Sequence, residues 1–160
     1  MSIEVFNESG HEGVNEEMLI DVAASRADRG RITRGRQYAE AGHVVSLEVR
    51  NGRAHAQVAG SQNDPFTVTV QLPYRSADDL AVVSAELART PNGMRAARRG
   101  EISGNLLRVL LADDANDIRL VCDCPDPAPV CKHEVAVLEK LAAKIDADPL
   151  ALFTFRGLDL

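Results

Sequence analysis

At 160 residues the chain has the length of a single domain, and 45% hydrophobic with 26% charged residues is the balance of a folded globular protein rather than a disordered one. No apolar run reaches the roughly 18 residues of a membrane span, and the start, Met-Ser-Ile-Glu-Val-Phe-Asn-Glu, lacks the basic and apolar regions of a secretion signal, so a cytoplasmic protein is expected. The net charge of −6 argues against coating nucleic acid by charge alone, and three cysteines confined to ten residues argue against a disulfide framework and for metal or redox chemistry.

Residues 1–14 carry Gly10, Gly13 and several acids without periodicity and read as a weakly ordered lead-in to a single domain over 15–160. Asn15 with Glu16 and Glu17 resembles a cap and acidic first turn, and Met18, Leu19, Val22 and Ala23 share one face of a helix that Gly30 is expected to end. A second short helix is expected from Thr33 to Ala41, closed by Gly42. The period then changes from helical to alternating. Residues 43–50 read as a strand, Asn51-Gly52 as a two-residue hairpin turn, 53–58 as its partner, and 65–72 as a third strand with Phe66, Val68, Val70 and Leu72 on one side.

Three strands with one apolar face need a helix to cover them. The segment capped by Ser76 or Asp78, with Leu80, Val83 and Leu87 at helical spacing up to Pro91, is the candidate cover. Residues 92–100 read as a connection, and Leu106, Leu107, Leu110 and Leu111 mark a further helix. Asp113 to Asn116 form a turn and Ile118 to Val121 a short strand. Val135, Leu138, Leu141, Ala142 and Ile145 then define an amphipathic helix ending before Pro149, and Leu150, Leu152, Phe153 and Phe155 form an apolar segment able to dock on the core. The fold class is α+β, a small antiparallel sheet of three to four strands covered by helices.

The strand at 118–121 runs directly into Cys122-x-Cys124, six residues, then Cys131-x-His133. Three thiols and an imidazole at these spacings suit a tetrahedral Zn²⁺ and fill all four of its positions, the arrangement of a structural site rather than a catalytic one that keeps a place for water. Pro125, Pro127 and Pro129 stiffen the intervening loop and reduce the entropy lost when it closes. Cys131 and His133 fall at the start of the following helix, whose N-terminus favours thiolate. Glu134 is read as complementing that helix end, not as a catalytic carboxylate, and His11, His43 and His55 are too scattered to be ligands. Neither an enzymatic role nor a small-molecule substrate is expected.

Arginines are clustered in two places. Arg26, Arg29, Arg31, Arg34 and Arg36 lie within eleven residues, and Arg89, Arg95, Arg98 and Arg99 form a second group. The planar guanidinium fork suits phosphate, so Arg26, Arg29, Arg31, Arg34, Arg36, Arg95, Arg98 and Arg99 are candidate nucleic-acid contacts, with an ordinary solvated surface as the competing reading.

Cys122-Asp-Cys124-Pro125 and Cys131-Lys132-His133, followed by Val135 and Leu138, resemble the SWIM zinc finger, here at about 117–145, and the segment from Arg34-Gly35-Arg36 through Tyr38, Gly42 and Val44 to Gly60-Ser61 is similar to bacterial SWIM-containing proteins. The resemblance implies one zinc on Cys122, Cys124, Cys131 and His133, binding to DNA or protein, and a Swi/Snf-type helicase as a partner. The spacer loop departs from the family in having no aromatic residue. Two other functions are weighed beside a DNA-associated adaptor: a subunit that contacts only protein, favoured by the acidic stretch from Glu4 to Asp21, and a thiol redox sensor that releases zinc on oxidation.

Overall fold

The computed structural model describes residues 11–158, with side chains from residue 18 onward. Seven helices and a four-stranded antiparallel sheet make up these residues: α1 (His11–Arg26), α2 (Arg29–Glu40), β1 (Val44–Arg50), β2 (Arg53–Val58), β3 (Phe66–Gln71), α3 (Ala77–Arg89), α4 (Gly93–Arg98), α5 (Gly104–Leu110), β4 (Arg119–Cys122), α6 (Lys132–Ala147) and α7 (Leu150–Phe155). The α+β architecture expected from the sequence is the one observed, and the sheet order is β1-β2-β3-β4.

Side-chain alternation sets the two faces of the sheet. Leu47 pairs with Ala56, Val49 with Ala54, Ala56 with Val68 and Val70 with Leu120, so these residues share the covered face. Ala54, Ala56, Val68 and Val70 are fully or almost fully buried there. The opposite face carries Arg53, His55, Thr67 and Val121, all exposed to solvent. Asn51 and Gly52 both have positive φ, 51° and 84°, which the tight β1–β2 turn demands.

The cover is α6, not the helix at 77–89. α3 buries only Val83 and Leu87 and packs on α4 and α5. In α6, by contrast, every residue from His133 to Leu138 is buried, and the helix contacts all four strands as well as α1 and α2. A helix apolar around most of its circumference is a central element rather than a surface one. Leu138, Leu141 and Ile145 meet Leu19 and Val22 of α1 and the docked Leu152, Phe153 and Phe155 of α7 in one core.

Three boundaries differ from the sequence reading. Asp28 is the N-cap of α2, accepting from the Arg31 N–H, so that helix starts at Arg29 and Gly30 lies in its first turn instead of ending the preceding helix. A cap is a single side-chain choice, which apolar periodicity does not register. Residues 11–14 belong to α1, and the remainder of the expected lead-in lies outside the described residues. Residues 93–98, read as connection, form the short helix α4, which starts at Asn92 with φ 59°.

Candidate metal centre

Cys122 enters the centre because of strand register. It pairs with Val68 on β3, whose side chain is in the core, so its own side chain is delivered to the covered face, towards the start of α6. The ladder continues one residue further: Thr67 N–H donates to Asp123 Oδ1 at 2.9 Å, which holds the chain as it turns towards Cys124.

Cys131 is the N-cap residue of α6 and His133 lies in the first turn. Glu134 fixes this helix end: its Oε1 accepts from the Cys131 N–H at 2.8 Å, in a site where Glu134 is only 5% exposed. The dipole-complementing role expected for Glu134 thus takes the form of a capping bond. Burial pushes its carboxyl above the usual range, while the bond from Cys131 works in the opposite direction.

The four ligand atoms lie within 4.8 Å of one another. His133 turns Nδ1 towards the sulfurs, 3.8 Å from Cys122 Sγ and 3.8 Å from Cys131 Sγ. A tetrahedral ion with bonds of about 2.3 Å to sulfur separates its ligand atoms by roughly 3.8 Å, so these spacings fit such an ion. The His133 ring is seated by Phe66, with centroids 4.5 Å apart, and by Tyr38 at 5.8 Å. Gly60 makes room for Phe66, since a Cβ there would stand 2.6 Å from the Phe66 ring. No signal in the sequence tied Gly60, Phe66 or Tyr38 to the centre.

Hydrogen bonding with Cys122 and then burial raise the Cys131 thiol, and burial raises that of Cys124. Metal-free, these thiols keep their protons at neutral pH, and a metal ion must displace them to form thiolate bonds. Metal binding should therefore release protons into a weakly buffered solution and weaken steadily as pH falls. A metal affinity independent of pH between 6 and 8 would contradict this ligand set.

The arginine cluster divides into groups with different partners. Arg26 donates through Nη1 to the Ile118 carbonyl at 2.8 Å and through Nη2 to Ala115 at 2.7 Å, pinning the turn that feeds β4. Arg31 grips Asp126 with two bonds of 2.8 Å and also pairs with Asp28. It clamps the proline loop between Cys124 and Cys131 to α2, and the guanidinium holds the Asp126 carboxyl down at about 2. Both residues, expected as phosphate contacts, are committed inside the fold. Arg36 reaches Glu139 on α6 at 3.4 Å and Arg99 pairs with Glu101. Arg29, Arg34, Arg95 and Arg98 have no ion-pair partner among the described residues.

A cavity of about 370 Å³ opens beside the cluster. Cys124 and His133 lie in its wall with Phe66 and Tyr38, and Arg34 and Lys132 supply positive charge. Lys132 Nζ stands over the Tyr38 ring, 5.0 Å from its centroid. His43 stacks on the other side of the cavity wall, 4.2 Å from Tyr38, and its Nδ1 bonds the Ala59 carbonyl. His43 and the exposed His55 are not part of the cluster, and the His11 side chain lies outside the described residues.

No family model matches the chain, and no solved structure matches it. It is similar to an uncharacterized protein of Mycobacterium tuberculosis, Rv2102, with 35% identity over 136 residues that cover 79% of this chain and 48% of the relative. The chain thus spans about half the length of that relative. A stretch of 22 residues is 91% identical to part of endoribonuclease YbeY of Corynebacterium glutamicum, covering 14% of this chain and 11% of that protein. Among the described residues no helix is long and apolar enough to cross a membrane.

Proposed function

We propose that the four-residue centre binds one structural Zn²⁺ through Cys122, Cys124, Cys131 and His133, and that the chain is a non-catalytic, DNA-associated adaptor. The observation that carries this reading is the cluster itself. Three cysteines and a histidine converge within 4.8 Å at the seam between the last strand and the central helix, where a fourth protein ligand leaves no position for a reacting water. Metal there ties β4 to α6, and hence the sheet to its cover. The SWIM-like spacing supports the same assignment, and with it a Swi/Snf-type helicase as the partner to be sought.

DNA association is supported by the cations left over when internal partners are subtracted. Arg34 on α2 and Lys132 at the start of α6 form no ion pair among the described residues and line the cavity beside the metal centre, and Arg29 on α2 likewise forms none. Phosphate contacts release counterions, so affinity should fall steeply with salt, by a slope of about 0.9 per contact. Replacing Arg34 and Lys132 with Gln should flatten the log–log slope for duplex DNA by up to about 2. A slope unchanged in that variant would transfer the function to the second reading, a subunit contacting only protein. The net charge of −6 is the observation in favour of that alternative.

A further inference from the structure

The end of the sheet remote from the cysteines holds a positive charge that has no ion-pair partner among the described residues. Arg156, just after α7, is 6% exposed and makes two hydrogen bonds, Nε to the Leu110 carbonyl at 2.9 Å and Nη2 to Leu111 at 3.1 Å. These carbonyls end α5, so part of the role of Arg156 is to cap that helix. A guanidinium has five N–H donors, however, and two bonds leave Nη1 without a protein acceptor among the described residues. Among the described residues no carboxylate lies within ion-pair distance. Burial, and then repulsion from Arg75, lower this arginine to about 10. Buried charges are ordinarily paired.

The surroundings increase the imbalance. Arg75 converges on the same helix end, donating to the Val109 carbonyl at 3.1 Å and to Arg108 at 2.8 Å, and its nearest carboxylate is Asp113, exposed and 3.9 Å away. Arg50 and Arg53 face each other across the β1–β2 pair, a directly opposed like-charge pair that destabilises a hairpin. All four arginines line one cavity of about 550 Å³, and among the described residues no aspartate or glutamate lines it. That volume is within the range of small-ligand sites. Gly52 forms the close wall: it has φ 84°, and a Cβ there would stand 3.3 Å from Arg156 Nη1. Tyr74 stands at the mouth, 84% exposed. In a chain of net charge −6, four arginines around one cavity form a concentrated positive field.

We infer that this cavity is a binding site for a phosphate group, with Arg156 as its buried anchor, Arg50, Arg53 and Arg75 as its walls, and Tyr74 placed to stack on an attached base. Phosphate fits better than a carboxylate because a dianion with three or more acceptor oxygens can engage several guanidinium forks at once. A phosphate monoester, as on a free nucleotide, offers this chemistry in full; the phosphodiester backbone of a nucleic-acid strand, a monoanion with two free oxygens, shares the anionic phosphoryl oxygens but offers fewer of them. The site uses none of the residues of the metal centre and does not depend on the function proposed for it.

The test is a titration of the full chain with inorganic phosphate at constant ionic strength, followed by the arginine side-chain N–H resonances. Saturable shifts are expected at Arg156 and Arg53, with no response to matched chloride. Arg53→Gln, at an exposed position, should weaken phosphate about tenfold or more, the effect of losing one charge-assisted contact. Arg156→Lys keeps the charge but loses the fork and should weaken it similarly; if that variant is misfolded, Arg50→Gln takes its place. Repeating the titration with adenosine monophosphate and with a short oligothymidylate identifies the source, the tighter of the two marking a terminal phosphate or a strand backbone. Equal responses to phosphate and chloride, or unchanged affinity in the folded variants, would overturn the site.

Discussion

Stripping the metal with a strong chelator should collapse the cooperative fold of the C-terminal half, and Cys131→Ala should do the same in the presence of excess zinc. The reasoning begins with the seam. β4 is the edge of the sheet and consists of four residues, too few to hold their place by ladder bonds alone. Its attachment to α6 is through the cysteine cluster, and α6 contributes the largest share of the core, with His133 to Leu138, Leu141, Ala142 and Ile145 buried. Zinc bound to such a ligand set supplies apparent free energy on the order of 10 kcal/mol, comparable with the whole stability of a domain this size. Losing it leaves a buried thiol cluster and an edge strand held only by its pairing with β3, the packing of Leu120 and the Arg26 bonds at its entry. Circular dichroism during chelation should show loss of helix, reversed by added Zn²⁺, and elemental analysis should give one zinc per chain, absent in the variant. A protein that retains its melting temperature after complete metal removal would reduce the centre to an ornament of an already stable fold.

What the sequence revealed follows from which forces are local. The hairpin over 43–58 was legible because Asn51-Gly52 and strict alternation are local signals, and β3 followed by the same logic. The Cys122, Cys124, Cys131 and His133 set was legible because its spacing is itself chemical information, and the fold brings the four side chains within 4.8 Å of one another. Choosing which helix covers the sheet needed non-local knowledge. α3 and α6 both show an apolar stripe, and only the return of the chain through the Cys124–Cys131 loop places α6 rather than α3 over the strands. The arginines could not be sorted from one another in the sequence for a related reason. A run of guanidinium groups looks the same in sequence whether its members face solvent or reach 89 to 95 residues along the chain, as Arg26 does to Ala115 and Arg31 to Asp126. The Arg156 cavity was invisible because its arginines come from three separate parts of the chain, the β1–β2 hairpin (Arg50 and Arg53), the segment before α3 (Arg75) and the residue after α7 (Arg156).

Gly35→Ala should be the most damaging replacement of a single hydrogen by a methyl in this chain, although on local grounds it ought to stabilise. Gly35 is in the middle of α2, where alanine is favoured over glycine by about 1 kcal/mol. Against that stands geometry. A Cβ at position 35 would lie 2.4 Å from both Cβ and Cγ1 of Val135 and 2.9 Å from the Lys132 carbonyl. Val135 is β-branched, fully buried and held on α6 one turn past Cys131, so neither it nor the helix backbone can swing aside as the tip of a long side chain would. Relief requires α2 to move off α6, the helix contact that also carries Arg31 and its clamp on the cysteine loop. Overpacking a rigid contact costs about 1–3 kcal/mol and sometimes more, which exceeds the propensity gain. Denaturant unfolding should place Gly35→Ala roughly 2 kcal/mol or more below the parent, and the double variant Gly35→Ala, Val135→Ala should recover little, since alanine keeps the Cβ that would stand 2.4 Å away. A single variant as stable as the parent would mean that α2 does not lie this close to α6.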